Sequence, residues 1–151
     1  MLSAQGLMKS YGNQKILADV ILDLEKGEII SVVGSSGSGK TTLLRLISGL
    51  EKPDSGQIIL NNKVLNGGNT FTPPEKRDCS LVFQDYALFP NMSVQQNIYF
   101  GKNSVDNKKN IEQLIQITGI ANIMEKYPYQ CSGGEQQRVA LVRSLAINPS
   151  L

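Results

Sequence analysis

The spacing of apolar residues divides the chain into a strand-rich first part and a helical second part. Residues 16–24 alternate partly between apolar and polar, and this period of two predicts a strand with Ala18, Val20, Leu22 and Leu24 on one face. Glu25-Lys26-Gly27 reads as a turn. The β-branched run 28–33, bounded by Gly27 and Gly34, predicts a second strand, buried on both faces. Leu43, Leu44, Leu46 and Ile47 predict a short helix closed by Gly49 as its C-cap. Pro53-Asp54-Ser55-Gly56 is a turn, and a hairpin follows, 57–60 with 63–65 around Asn61-Asn62. The stretch 67–74 reads as a loop, and 80–83 as another short buried strand.

Beyond Pro90 the period changes. Ser93 is a good N-cap for a helix over 94–100. The polar run 102–110 predicts a solvated connector, and Ile111, Leu114, Ile115 and Thr118 follow i, i+3, i+4, i+7 spacing. A last helix is predicted over 134–147, ending before Pro149. Strands, a glycine-rich loop and then helices make the chain α/β.

Composition narrows the classes. At 151 residues the chain is one domain or one domain cut short. Fifteen Lys and Arg against thirteen Asp and Glu leave a net charge of +2, too mild for a nucleic-acid-binding arm. No apolar run approaches the roughly 18 residues of a membrane helix, and residues 1–5 resemble no export signal. The chain therefore reads as soluble and cytoplasmic. Cys79 and Cys131 are far apart, with no CxxC and no histidine, which excludes a disulfide scaffold and any ordinary zinc site.

Gly34-Ser35-Ser36-Gly37-Ser38-Gly39-Lys40-Thr41 matches G-x-x-x-x-G-K-[ST] in full, between a predicted strand and a predicted helix. Glycines let the backbone curl so that successive N–H groups point at phosphate oxygens. The helix start adds unpaired N–H groups and a partial positive charge. Lys40 would reach the β- and γ-phosphates, and Thr41 would place its hydroxyl on Mg²⁺. The site is for a nucleoside triphosphate. Cys131-Ser132-Gly133-Gly134-Glu135-Gln136-Gln137-Arg138 opens another helix. Alone it reads as a plain cap; beside the first motif it reads as a second anion-receptive helix start.

With both motifs in this order, nearly the whole chain resembles the ATP-binding subunits of ABC transporters. Their signature LSGGQ is matched with Cys131 in place of Leu and Glu135 in place of Gln. The resemblance implies an incomplete P-loop NTPase core with an antiparallel β subdomain and an inserted helical signature subdomain. Residues 1–84 and 146–151 would form the core and β subdomain, and 85–145 the helical subdomain. It further implies that Tyr11 stacks on adenine, and that Gly34, Ser35, Ser36, Gly37, Ser38, Gly39, Lys40, Thr41 and Thr42 hold ATP. Gln84 would position water and Mg²⁺, which Thr41 also binds. Ser132, Gly133, Gly134 and Glu135 would contact ATP held by a second copy of the subunit in a head-to-tail dimer. Cys131, a smaller and potentially reactive side chain, would lie beside that contact.

The wording around Phe83-Gln84-Asp85-Tyr86-Ala87-Leu88-Phe89-Pro90 is most similar to prokaryotic importers of ferric iron, sugars, polyamines and oxyanions. Pro73-Pro74-Glu75-Lys76-Arg77 leans towards ferric iron. The implied partners are permease subunits, whose coupling helix would meet some of Tyr86, Leu88 and Phe89. A periplasmic or extracellular substrate-binding protein acts indirectly, and nucleic acid is not a partner. The location implied is the inner face of the cell membrane, as a peripheral subunit. The family continues after Asn148-Pro149 with a strand ending in Asp-Glu, the Glu serving as base, and later a histidine. The chain as given is thus expected to bind MgATP without hydrolysing it, and to leave apolar strand edges uncovered. Two other readings stand beside this one: a soluble ABC-type ATPase outside transport, which the short separation of Gln84 from Ser132 disfavours, and a non-catalytic nucleotide-binding module.

Overall fold

A computed structural model describes residues 1–101 and 107–151 of the chain. It contains two compact units, 1–78 and 79–151.

The first unit is built on an antiparallel five-stranded sheet in the order β2-β1-β3-β4-β5. The strands are β1 (Leu2–Tyr11), β2 (Gln14–Leu24), β3 (Ser55–Leu60), β4 (Lys63–Gly67) and β5 (Thr70–Phe71). Asn61 and Asn62 both adopt positive φ, 49° and 64°, the left-handed pair that a tight hairpin turn requires, so the predicted hairpin forms. Its strands reach further than predicted, to Ser55 and Gly67. β1 and β5 were not anticipated; β5 occupies part of the predicted loop.

The face predicted for β2 is partly corrected. Val20, Leu22 and Leu24 are half-buried, but Leu17 is buried and Ala18 exposed. Asp19 sits at φ 56°, and the β1–β2 register slips between Ala4 and Leu7 and again between Leu7 and Lys9. A bulge changes which side of the sheet a residue faces, and period-two reading does not foresee it.

The predicted strands at 28–33 and 80–83 are a second correction. Neither joins a ladder among the described residues, and Ile29 and Val33 are 92% and 90% exposed. A strand exists only through pairing, whereas apolar β-branched sequence records only a preference for burial.

Helix α1 (Lys40–Ser48) buries Leu43, Leu46 and Ile47, while Leu44 stays exposed. Gly49 ends it at φ 79°. A Cβ there would run into the Arg77 guanidinium, which is buried and donates to the carbonyls of Leu46 (2.8 Å), Ile47 (2.6 Å) and Thr72 (2.7 Å). A cation on the last carbonyls of a helix satisfies orphan acceptors and complements the dipole. Arg77 thus straps the 72–77 segment to the far end of α1.

The second unit packs α2 (Val94–Ile98), α3 (Lys108–Thr118) and α4 (Gly133–Leu145) around Val94, Ile98, Ile111, Ile115, Ile120, Ile123, Val139 and Val142. α2 starts at the expected Ser93, whose hydroxyl accepts from Gln96 N–H, and stops two residues short of the prediction. α3 begins within the predicted connector; the part of that connector at 102–106 lies outside the described residues. α4 starts and ends slightly earlier than expected. Asn97 is fully buried, and its side chain bonds the backbone of Phe89, Met92 and Ser93, fixing the 89–93 loop.

Candidate nucleotide-binding site

The loop 34–39 leads into α1, whose first i to i−4 bond runs from Leu43 N–H to Gly39 carbonyl at 2.8 Å. The N–H groups of Lys40, Thr41 and Thr42 therefore have no carbonyl within the helix to bond. Gly37 and Gly39 adopt φ 82° and 90°, the left-handed region that turns the chain into the helix. At Gly39 a Cβ would lie 2.7 Å from Leu17 Cδ2 and 3.1 Å from the Ile16 carbonyl oxygen. Glycine is thus required by both conformation and space. The Lys40 ammonium curls back over the loop and donates to Gly34 O (2.9 Å), Ser35 O (2.7 Å) and Ser38 Oγ (3.3 Å). One turn thus holds a cation, a helix N-terminus and several small hydroxyls. That combination suits a polyphosphate.

Thr41 is exposed in the first turn of α1. Among the described residues no three carboxylate, Cys or His side chains group as metal ligands. A single neutral hydroxyl fits Mg²⁺ that arrives carrying phosphate oxygens, because this hard cation keeps octahedral oxygen ligands and borrows most of them.

Tyr11 ends β1, with its ring half-exposed. Its hydroxyl donates to Glu51 Oε2 at 2.6 Å, and the Thr42 hydroxyl bonds the same phenolic oxygen. The Glu51 carboxylate holds the phenol pKa above its ordinary value, burial adds to this, and Thr42 opposes it. Lys9 Nζ stands 5.5 Å from the ring centroid and 3.4 Å from Glu51 Oε1. Of the residues expected to hold ATP, the first unit thus brings together Tyr11, the loop and Thr42. Glu51 carried no recognisable signal, since a lone glutamate after a helix C-cap is ordinarily a surface residue.

Gln84 and the signature segment lie in the second unit. Gln84 is exposed in a turn. Ser132 caps α4 reciprocally with Glu135: Glu135 N–H donates to Ser132 Oγ (3.3 Å), and Ser132 N–H donates to Glu135 Oε2 (2.6 Å). The backbone bond from Ser132, then its hydroxyl, hold the Glu135 carboxyl below its usual range. Gly133 and Gly134 are exposed in the first turn. Cys131 belongs to the helical core, its Sγ lies 3.5 Å from Tyr127 O, and burial pushes its pKa up.

A capped glycine-rich loop and a second glycine-bearing helix start, in this order, define a class of nucleotide-binding protein, and residues 17–151 match the family described as "ABC transporter". The chain belongs to that family. It is 44% identical to the Fe(3+) ions import ATP-binding protein FbpC 2 of Haemophilus influenzae (strain ATCC 51907 / DSM 11121 / KW20 / Rd), in an alignment covering 100% of this chain and 44% of that protein. It is 39% identical to the spermidine/putrescine import ATP-binding protein PotA of Bacillus thuringiensis (strain Al Hakam), covering 99% of this chain and 46% of that one. The chain thus spans less than half the length of these curated relatives. Its fold matches MJ0796, a bacterial ABC transporter cassette solved as a dimer, with a TM-score of 0.82, 29% identity, and coverage of 99% of this chain and 71% of that one. A post-hydrolysis MJ0796 structure bound to ADP and Pi matches with a TM-score of 0.81 and 30% identity, covering 99% of this chain and 71% of that one. The chain thus has the fold of ABC ATPase cassettes, an antiparallel sheet with helices, consistent with the incomplete P-loop NTPase core expected.

Proposed function

We propose that the chain is the ATP-binding portion of an importer ATPase. The observation that carries this reading is the loop 34–41, with Lys40 folded over it and a helix start behind it. Residues 34–42 hold the triphosphate, Thr41 contributes to Mg²⁺, and Tyr11 offers its ring to adenine. Gln84 positions water and metal. Ser132, Gly133, Gly134 and Glu135 serve the ATP of a second copy across a head-to-tail dimer, an assembly supported by the dimeric MJ0796 cassette. The partners are permease subunits at the inner face of the cell membrane, with a substrate-binding protein acting through them. Among the described residues no helix is long and apolar enough to cross a membrane. Ferric iron is the proposed cargo, supported by the iron-importer relatives of Haemophilus influenzae and Mesorhizobium japonicum.

Residues 1–151 alone are proposed to bind MgATP without useful turnover. In the first unit Glu51 is engaged by Tyr11 and Lys9, Asp54 by Lys9 and the Ser10 amide, and Asp23 by Gln5. These three engaged carboxylates are poor candidates for a general base, a role that contributes about 10²–10⁴-fold. Expression in a bacterial host followed by affinity purification tests the partner assignment. Recovery with integral membrane subunits supports it, and recovery with nucleic acid instead contradicts it. Steady-state phosphate release from the purified chain is expected at background; release abolished by Lys40→Ala would overturn the inactivity.

A further inference from the structure

Tyr11 is held by more than its place at the end of β1. Its hydroxyl donates to Glu51 Oε2 at 2.6 Å, and Lys9, two residues earlier and beside the ring, approaches Glu51 Oε1 at 3.4 Å. Glu51 is itself tied to α1, because its N–H donates to Arg45 carbonyl at 3.2 Å. Lys9 also reaches Asp54 (3.5 Å) and the Lys52 carbonyl (2.9 Å), and Asp54 Oδ2 accepts from Ser10 N–H at 2.7 Å. The Lys9 and Glu51 side chains keep only 14% and 20% of their surface exposed. A partly desolvated pair that also accepts a phenolic hydrogen bond is more rigid than a surface ion pair.

These contacts join the ring of Tyr11 to the helix whose N-terminus carries the phosphate loop. We propose that Glu51 is a positioning residue for nucleotide binding: it sets Tyr11 in register with α1, so that the base platform and the phosphate cradle are held one nucleotide apart. The inference rests on the reading of Tyr11 as the adenine platform. Its chemistry follows from which part of the ring is occupied. The hydroxyl edge is spent on Glu51, and a ring whose edge is pinned offers a face to a flat heterocycle at little entropic cost. Without Glu51 the ring keeps only the Thr42 hydroxyl and the Lys9 contact, and the less firmly set ring serves the base worse while the phosphates keep their partners.

Calorimetric titration of the full chain with MgATP and with magnesium tripolyphosphate, which has the phosphates and no base, separates the contributions. Tyr11→Ala is expected to weaken ATP about 10-fold and leave tripolyphosphate within about twofold. Glu51→Ala and Tyr11→Phe should each weaken ATP about 3- to 10-fold, again sparing tripolyphosphate. Glu51→Gln, which can still accept from the phenol, should recover most of the loss. Loss of both ligands in Glu51→Ala would show damage to α1 itself and overturn a role confined to the base; Tyr11→Phe then decides, because it keeps Glu51 and removes only the hydroxyl with its bonds to Glu51 and Thr42, and unchanged ATP binding there overturns the positioning role. If Tyr11→Ala changes ATP no more than tripolyphosphate, the platform reading is wrong. If Tyr11→Ala behaves as expected while Glu51→Ala and Tyr11→Phe match the parent chain, only the positioning role is wrong.

Discussion

Cys131 shows how burial alters a residue's chemistry. Where the family signature has leucine, this chain has a thiol, and the structure uses it as leucine would be used, inside the helical core. Burial, then the nearby Glu135 charge, raise its pKa. The thiol should therefore react with iodoacetamide at neutral pH far more slowly in the folded chain than in urea, as mass spectrometry would follow. Equal rates in the two conditions would place it outside the core. The same shift fixes a pH effect on stability. Below the ordinary thiol value both states are protonated and the contribution is whole; above it the unfolded thiol ionises first, so stability falls as pH rises through the folded pKa. Glu135 has the opposite sign. Its lowered pKa adds stability above the ordinary carboxylate range, lost as pH falls through the folded value. The helix starts after Gly39 and at Ser132 were legible because glycine and capping residues act locally. Glu51 and Arg77 were not, since their roles arise from contacts with Tyr11 and with the end of α1.

Elements were legible where their causes are local. Gly49 and Ser93 punctuate their helices as their residue types require, and Asn61-Asn62 makes the hairpin turn. Strands depend on distant partners. β1 pairs with both β2 and β3, and nothing within residues 2–11 announces that. The opposite failure occurs at 28–33, whose composition calls for burial while no partner strand lies beside it among the described residues. Asn97 is the hidden key of the second unit. Its amide satisfies four backbone groups of the 89–93 loop from inside α2. Asn97→Ala would take from Phe89 N–H and the Met92 carbonyl their side-chain partner, while the Phe89 and Ser93 carbonyls keep backbone bonds from Met92 and residue 97, at about 1–3 kcal/mol for each stranded group. Chemical denaturation should show a loss of about 2–4 kcal/mol with an unchanged slope against denaturant. A loss below about 0.5 kcal/mol would mean the loop holds itself.

For the whole molecule, the central claim is that a loop and a helix start in residues 1–78 form a working nucleoside triphosphate site. Everything further, from the dimer to the importer, depends on it. The physical basis is modest in extent: one ammonium, the open N–H groups of the first turn of α1, and a tyrosine ring fixed to the same helix. Charge-assisted bonds to phosphate are worth about 1.5–3 kcal/mol each. The most direct measurement is calorimetric titration of MgATP into the full chain and its Lys40→Ala variant, with circular dichroism confirming that both are folded. Saturable 1:1 binding by the parent chain, weakened about 10-fold or more in the variant, is the predicted result. Equal affinity in the two folded proteins, or no binding by the parent chain, would contradict it.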